Sequence, residues 1–204
     1  MPSTESWSRA YRARMTLLDS TTTSVPAASA HERAARLTDA GSAWGERIAA
    51  NTSAAHLTYK VTAVGEGSVA SRITVGRHEF VVDEPTSLAG DDVAPSPVEF
   101  ALGALISCQI VVYRLYAQAL GIVVDDITIN SEGELDARKL FGIEETVRPG
   151  FGAVRLDVAI SGPESLERYE QLRAVVDEHC PVLDLFTNAT PVEVSVRKVE
   201  LPQA

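Results

Sequence analysis

From Ser96 the chain reads SPVEFALGALISCQIVVYRLYAQALG, and this stretch limits the possible folds more than any other. Ser96-Pro97-Val98-Glu99 has the form of a capping box, with serine at the N-cap, proline at N1 and glutamate at N3. The helix it opens runs to about Leu120, where Gly121 can close it in a left-handed conformation. Phe100, Leu102, Leu105, Ile106, Ile110, Val111 and Val112 fall on every side of that helix. A helix with no polar face has to be covered all round. The strands of one chain are too few to do this, so an obligate homodimer burying more than ~2,000 Å² is expected. The longest apolar run, around Phe100 to Val112, is interrupted by Ser107, Cys108 and Gln109 and is shorter than the ~18–20 residues of a bilayer span. No membrane partner is expected.

The rest of the chain supplies ordinary globular material. Of 204 residues, 45% are hydrophobic and 23% charged, which excludes a wholly disordered chain. The net charge of −10 repels phosphate backbones and anionic lipid, so no nucleic-acid partner is expected. The opening MPSTESWSRAYRARM has charges but no apolar core of a signal peptide. A cytoplasmic setting is expected, in which Cys108 and Cys180 are reduced thiols.

The first fifty residues stand apart from the remainder. Trp7, Tyr11, Met15 and Leu18 recur at helical spacing over residues 5–18, and a Ser/Thr/Pro/Ala linker spans 20–30. Residues 30–49 read as a second helix with Leu37, Trp44 and Ile48 on one side. The expected division is an N-terminal helical extension over 1–50 and one domain over 51–204. From Leu57 the pattern alternates. Strands at 57–63, 69–75 and 79–83, turned at Gly65-Glu66-Gly67 and Gly76-Arg77, predict an antiparallel meander. Beyond the apolar helix come a strand in 123–134, an irregular segment over 135–151 and a strand at 152–161. An amphipathic helix at 164–179, broken by Pro181, and a last strand at 192–199 complete the order. The result is an α+β fold.

Two residues carry the chemistry. Cys108 sits in the middle of the apolar helix, and Cys180 lies between His179 and Pro181. Pro181 starts a new turn at N1, which makes Cys180 its N-cap, where amides would lower a thiol's pKa. Two cysteines are too few for an all-thiolate zinc site, and His179 beside Cys180 is too close in sequence to complete one. No metal and no cofactor are expected. His31, His56 and His78 stand alone. Asp125-Asp126 and Glu144-Glu145 read as solvated turns, and Tyr113, Phe141 and Phe151 as core, with the lining of an apolar substrate pocket as their alternative.

The stretch from Ser96 to Cys108 resembles the central helix of the OsmC/Ohr family. His179-Cys180-Pro181-Val182-Leu183-Asp184, followed by Pro191-Val192-Glu193-Val194, resembles that family's second motif. The similarity covers about His56 to Glu200. It implies antiparallel sheets wrapped around two central helices in an intertwined dimer, with active sites at the dimer interface. It also implies a thiol peroxidase acting on organic hydroperoxides. Cys108 would attack the O–O bond and become a sulfenic acid, Cys180 would resolve it as a disulfide, and a dithiol, often lipoyl, would restore both. The alternative is a module of the same fold that binds a small apolar ligand or senses redox state with little turnover.

The sequence departs from the family at two places. The position of the family's catalytic glutamate, directly after the helix-opening proline, holds Val98. Glu99 is nine residues before Cys108, about half a turn out of phase, and reads as a capping acid. The family's arginine sits in an early hairpin turn, where this chain has Glu66. Arg72, Arg77 and Arg148 could replace it. Arg77, in the early meander, is the one expected to activate Cys108, because a mid-helix thiol gains nothing from a helix N-terminus and its thiolate needs a side-chain cation.

Overall fold

The structure, a computed structural model, describes residues 24–199. Residues 24–33 fall in one compact unit and 34–199 in a second, which carries all that follows. The predicted helix over 5–18 lies outside the described residues. The second predicted helix is present as α1, Ala30–Ala50.

The meander forms as β1 (Thr62–Glu66), β2 (Ala70–Val75) and β3 (His78–Val82), antiparallel and in sequence order. Thr62 pairs with Thr74, and Ser71 pairs with Val82. The first strand is shorter than its alternation suggests. Leu57, Tyr59 and Val61 precede the ladder and are exposed. The meander buries little, for β1 is exposed along its whole length and Val82 is the buried hydrophobic residue of the three strands.

Asp83 ends the meander. Its buried carboxylate accepts from the amides of Asp91 (3.0 Å) and Val93 (3.2 Å), which folds the following loop back on the chain. These amides, with that of Glu84, hold its pKa below the usual carboxylate range.

The apolar helix is α2, Pro97–Ala119. Its cap is the one read from the sequence. Ser96 Oγ accepts from the Glu99 amide (3.4 Å), and Glu99 Oε2 accepts from the Ser96 amide (2.7 Å). Gly121 follows the helix at φ +62, which any other residue would adopt with strain. At 23 residues the helix is long and apolar enough to cross a bilayer by length and composition, although only 22% of its most apolar window is buried in the single chain. The interruption at Ser107–Gln109 is too brief to lower the average.

Beyond α2, β4 (Asp126–Leu135) and β5 (Phe151–Ser161) form a two-stranded antiparallel sheet. The strand read over 123–134 thus starts three residues later. A Cβ at Gly133 would come within 2.5 Å of the Phe151 ring, so this position admits only glycine without displacing the ring. Next come α3 (Leu166–His179) and α4 (Pro181–Thr187). Leu172 and Val176, both 0% exposed, pack α3 onto the core. That core is Val112, Tyr113 and Ala117 of α2, Ile122 and Val124, Ile127 and Ile129 of β4, and Cys180.

One predicted strand is absent. Residues 191–199 are not in a ladder, and Val192, Val194 and Val196 are 79%, 84% and 95% exposed. Alternation specifies which side chains share a face. It does not supply the neighbouring edge that a strand must pair with.

Candidate active site

α2 carries Cys108 on the side that faces α3 and α4. Pro181 has no amide hydrogen to continue α3, and its fixed φ suits the first position of α4. The chain therefore bends at Cys180, which has extended backbone (φ −84, ψ 109) between the two helices and is 2% exposed. Packing of α3 and α4 on α2 brings residues 108 and 180 together. Both are free thiols, and Cys108 packs against the buried cluster that contains Cys180, near enough for Cys180 to act on its thiol.

The amide of Val182, in the first turn of α4, lies close enough to Cys108 to lower its thiol pKa. This corrects two expectations. Cys180 occupies the N-cap of α4 but makes no capping bond with its sulfur. Instead the help of a helix N-terminus goes to Cys108, from a different helix than its own. Partial burial is the largest influence on the Cys108 thiol and pushes its pKa above the ordinary thiol value. The neighbouring Cys180 pushes the same way, and the Val182 amide opposes both.

None of the arginines read as substitutes is among the groups acting on Cys108. Arg77 lies exposed in the turn between β2 and β3, contrary to its expected role. Arg72 is held on the exposed meander by Glu66 (2.7 Å) and Glu79 (3.3 Å), whose carboxylates raise its pKa. Arg148 lines a surface hollow of about 610 Å³ with Glu134 and Asp136.

Glu99 is committed to its cap. The two bonds it accepts from Ser96 lower its pKa. His179 turns its ring toward the end of α3, with Nδ1 2.7 Å from the Val175 carbonyl and the ring 4.6 Å from that of Tyr116. A carbonyl only accepts, so Nδ1 carries a hydrogen. His179 thus satisfies a carbonyl of the last turn of α3.

Of the three aromatics read as core, Tyr113 is 1% exposed and Phe151 stacks on Phe186 at 6.4 Å. Phe141 differs, being exposed and lining a cavity of about 460 Å³ with Leu140, Val82, Leu88 and Pro97. Neither cysteine lines that cavity. Gln109, in the sequence only a polar interruption of the apolar helix, turns inward. It is 1% exposed beside Cys108, and its Nε2 has no hydrogen-bond partner.

The family model for OsmC-like protein matches residues 90–195, more than half of the chain, from just before α2 to beyond α4. The chain belongs to the OsmC-like family. Among solved structures, it resembles an OsmC-like protein from Mycoplasma pneumoniae with a TM-score of 0.57. The identity is 19%, and the match covers 64% of this chain and 88% of the other. It also resembles an organic hydroperoxide resistance protein OsmC from Legionella pneumophila (TM-score 0.52, 25% identity, 65% and 90% covered). A third is an organic hydroperoxide resistance protein from Elizabethkingia anophelis (TM-score 0.51, 22% identity, 64% and 88% covered). No curated protein matches. The α+β fold and the family are thus established for this OsmC-like protein, and α1 lies outside the matched family region.

Proposed function

We propose that this OsmC-like protein is a thiol peroxidase that reduces organic hydroperoxides as a homodimer. The observation that carries the reading is the pair of free thiols brought together where α2 meets α4. The names of the Legionella and Elizabethkingia structures point to the same substrate class. The Cys108 thiolate attacks the distal oxygen of ROOH, the O–O bond breaks, and the alkoxide leaves and takes a proton to become ROH. The sulfenic acid on Cys108 then condenses with the Cys180 thiol, forming the disulfide and releasing water. A dithiol of the lipoyl type reduces the disulfide by exchange, regenerating two thiols. The Val182 amide stabilises the attacking thiolate. A cytoplasmic setting, as expected from the sequence, would keep the pair reduced between turnovers.

The homodimer reading rests on surface left uncovered. Val98, Val111 and Leu115 of α2 are 42%, 54% and 38% exposed, and the alternating valines of 191–199 lack a partner strand. A second copy covers both. This assembly also gives cover to a span-length apolar helix in an acidic protein.

The test is titration of thiols against an alkyl hydroperoxide in slight excess. Two titratable thiols per chain should fall to none, with loss of two hydrogens in the intact mass. The Cys180→Ser variant should stop at the sulfenic acid and overoxidise. A second reading, an apolar-ligand or redox-sensing module, is favoured by the raised Cys108 pKa and the absence of an arginine among the groups that shift it. It takes precedence if both thiols survive prolonged exposure.

A further inference from the structure

The two sulfurs of the thiol pair have unlike surroundings. Cys180 is 2% exposed and belongs to the buried cluster with Leu172 and Val176, both 0% exposed. Cys108 is half-buried and packs against that cluster from its margin. On α2 it stands at a border. Leu105 and Val112, three residues before it and four after, are buried. Ala104, Val111 and Leu115, four before it and three and seven after, are exposed. At these spacings all five lie on the Cys108 side of the helix, the buried two to one flank and the exposed three to the other. The pair is therefore open at Cys108 and closed at Cys180.

Reduction of a disulfide has a direction. The incoming thiolate attacks one sulfur in line with the S–S bond, and the other sulfur leaves. Attack on Cys180 needs a path to a sulfur that the core encloses. Attack on Cys108 needs a path along the exposed flank of α2. The hydroperoxide has to use that second path in any case, because Cys108 is the nucleophile, so an assembly that turns over leaves it open. Cys180 is also free to leave. It lies at the joint between α3 and α4 in extended backbone, and its sulfur makes no capping bond that departure would break.

We infer that the dithiol attacks Cys108 and not Cys180, so that oxidant and reductant use one opening in turn. This rests on the peroxidase reading above. The first thiolate of the dithiol bonds to the Cys108 sulfur, the Cys108–Cys180 bond breaks, and its electron pair leaves on the Cys180 sulfur, which takes up a proton. The second thiol of the reductant, already tethered, loses its proton and attacks the reductant's own sulfur in the mixed disulfide. Cys108 leaves as the thiolate, and the reductant departs as a cyclic disulfide, oxidised by two electrons. Cys108 thus carries both half-reactions, while Cys180 never meets the second substrate. The opening is edged by Ala104, Val111 and Leu115, which suits a dithiol on a hydrocarbon arm.

The test uses the full-length wild-type chain and mercaptoethanol, a monothiol that cannot cyclise and so stops at the mixed disulfide. The protein disulfide is formed with an alkyl hydroperoxide in one sample and with diamide in another. Each is treated briefly with mercaptoethanol and quenched with N-ethylmaleimide, and peptide mass spectrometry locates both labels. At the earliest quench the mercaptoethanol adduct should be on Cys108 and the maleimide on Cys180, in roughly tenfold or greater excess over the reverse pattern. An even split, or an adduct mainly on Cys180, overturns the inference and leaves the peroxidase reading standing. If diamide forms the disulfide and the hydroperoxide does not, the peroxidase reading fails, and the labels in the diamide sample still decide which sulfur is attacked. A chain that forms no disulfide with either oxidant overturns both.

Discussion

The half of the molecule built from α2, β4, β5, α3 and α4 has a core, and the meander does not. The first half holds ten buried hydrophobic residues in one cluster, Cys180 among them. The meander buries Val82 and attaches to α2 through the stacked rings of Phe80 and Phe100, 5.2 Å apart. Charge on the meander is neutralised at the surface, as Arg72 shows with Glu66 and Glu79. The difference teaches where a single chain finishes its work. The thiol pair is assembled within one protomer, by helices that pack on one another. The meander, like α1 and residues 191–199, displays apolar groups that one protomer leaves in water.

The largest effect should come from the core half. Cys108→Ser should cut peroxide consumption roughly 10³-fold or more, because it removes the nucleophile. Its melting temperature should hardly move. Equal loss from Arg77→Met would show that the meander carries half of the site after all, through a second copy.

Stability should divide the same way. Leu172→Ala deletes a fully buried side chain and should cost about 2–5 kcal/mol in denaturant unfolding. Phe80→Ala, at a ring 38% exposed, should cost on the order of 1 kcal/mol. Similar losses at the two sites would mean that the meander is buried in the assembled protein.

The pH dependence of Cys108 sharpens the contrast further. Its pKa is raised by burial, so the thiol form is favoured in the folded protein. Peroxide consumption should rise about tenfold per pH unit until the thiolate is fully formed above the ordinary thiol range. The contribution of this group to stability is present below the unfolded thiol pKa and is lost as pH rises through the folded value. Stopped-flow rates and alkaline melting curves check both, and a rate already flat at neutral pH would reveal a cation supplied by a second copy.

The smallest effect belongs to the cap. Glu99→Gln should cost about 1 kcal/mol and leave peroxide consumption unchanged. The Glu99 pKa is lowered, so its stabilisation is present above the usual glutamate pKa and lost as pH falls through the folded value. The variant should therefore lose its deficit in acid. Loss of turnover at unchanged melting temperature would put Glu99 in the active site.

Most of the fold was legible in the sequence because its signals are local. The capping box at Ser96, the glycine after α2, the meander turns and the proline that separates α3 from α4 each act within a few residues. So does Ser29-Ala30-His31-Glu32, a second capping box that opens α1, where the Glu32 amide donates to Ser29 Oγ (3.2 Å) and Glu32 Oε2 accepts from Ser29.

The two cysteines of the candidate site were also marked by their local motifs, but their relation was not. No spacing along the chain states that the Val182 amide meets the sulfur of Cys108 rather than that of Cys180, or that Gln109 turns inward with an unpaired amide. Those outcomes depend on how α3 and α4 dock on α2, and docking is set by side chains far apart in sequence. The failed strand at 191–199 has the same origin. By itself the sequence determined the helices, their caps, the meander and the α+β class, since backbone preferences and periodicity act over one or two turns. Only the tertiary structure decided which thiol receives the helix amide, which carboxylate stays in its cap and which alternating segment lacks an edge to pair with, because each is a contact between parts of the chain that meet only after folding.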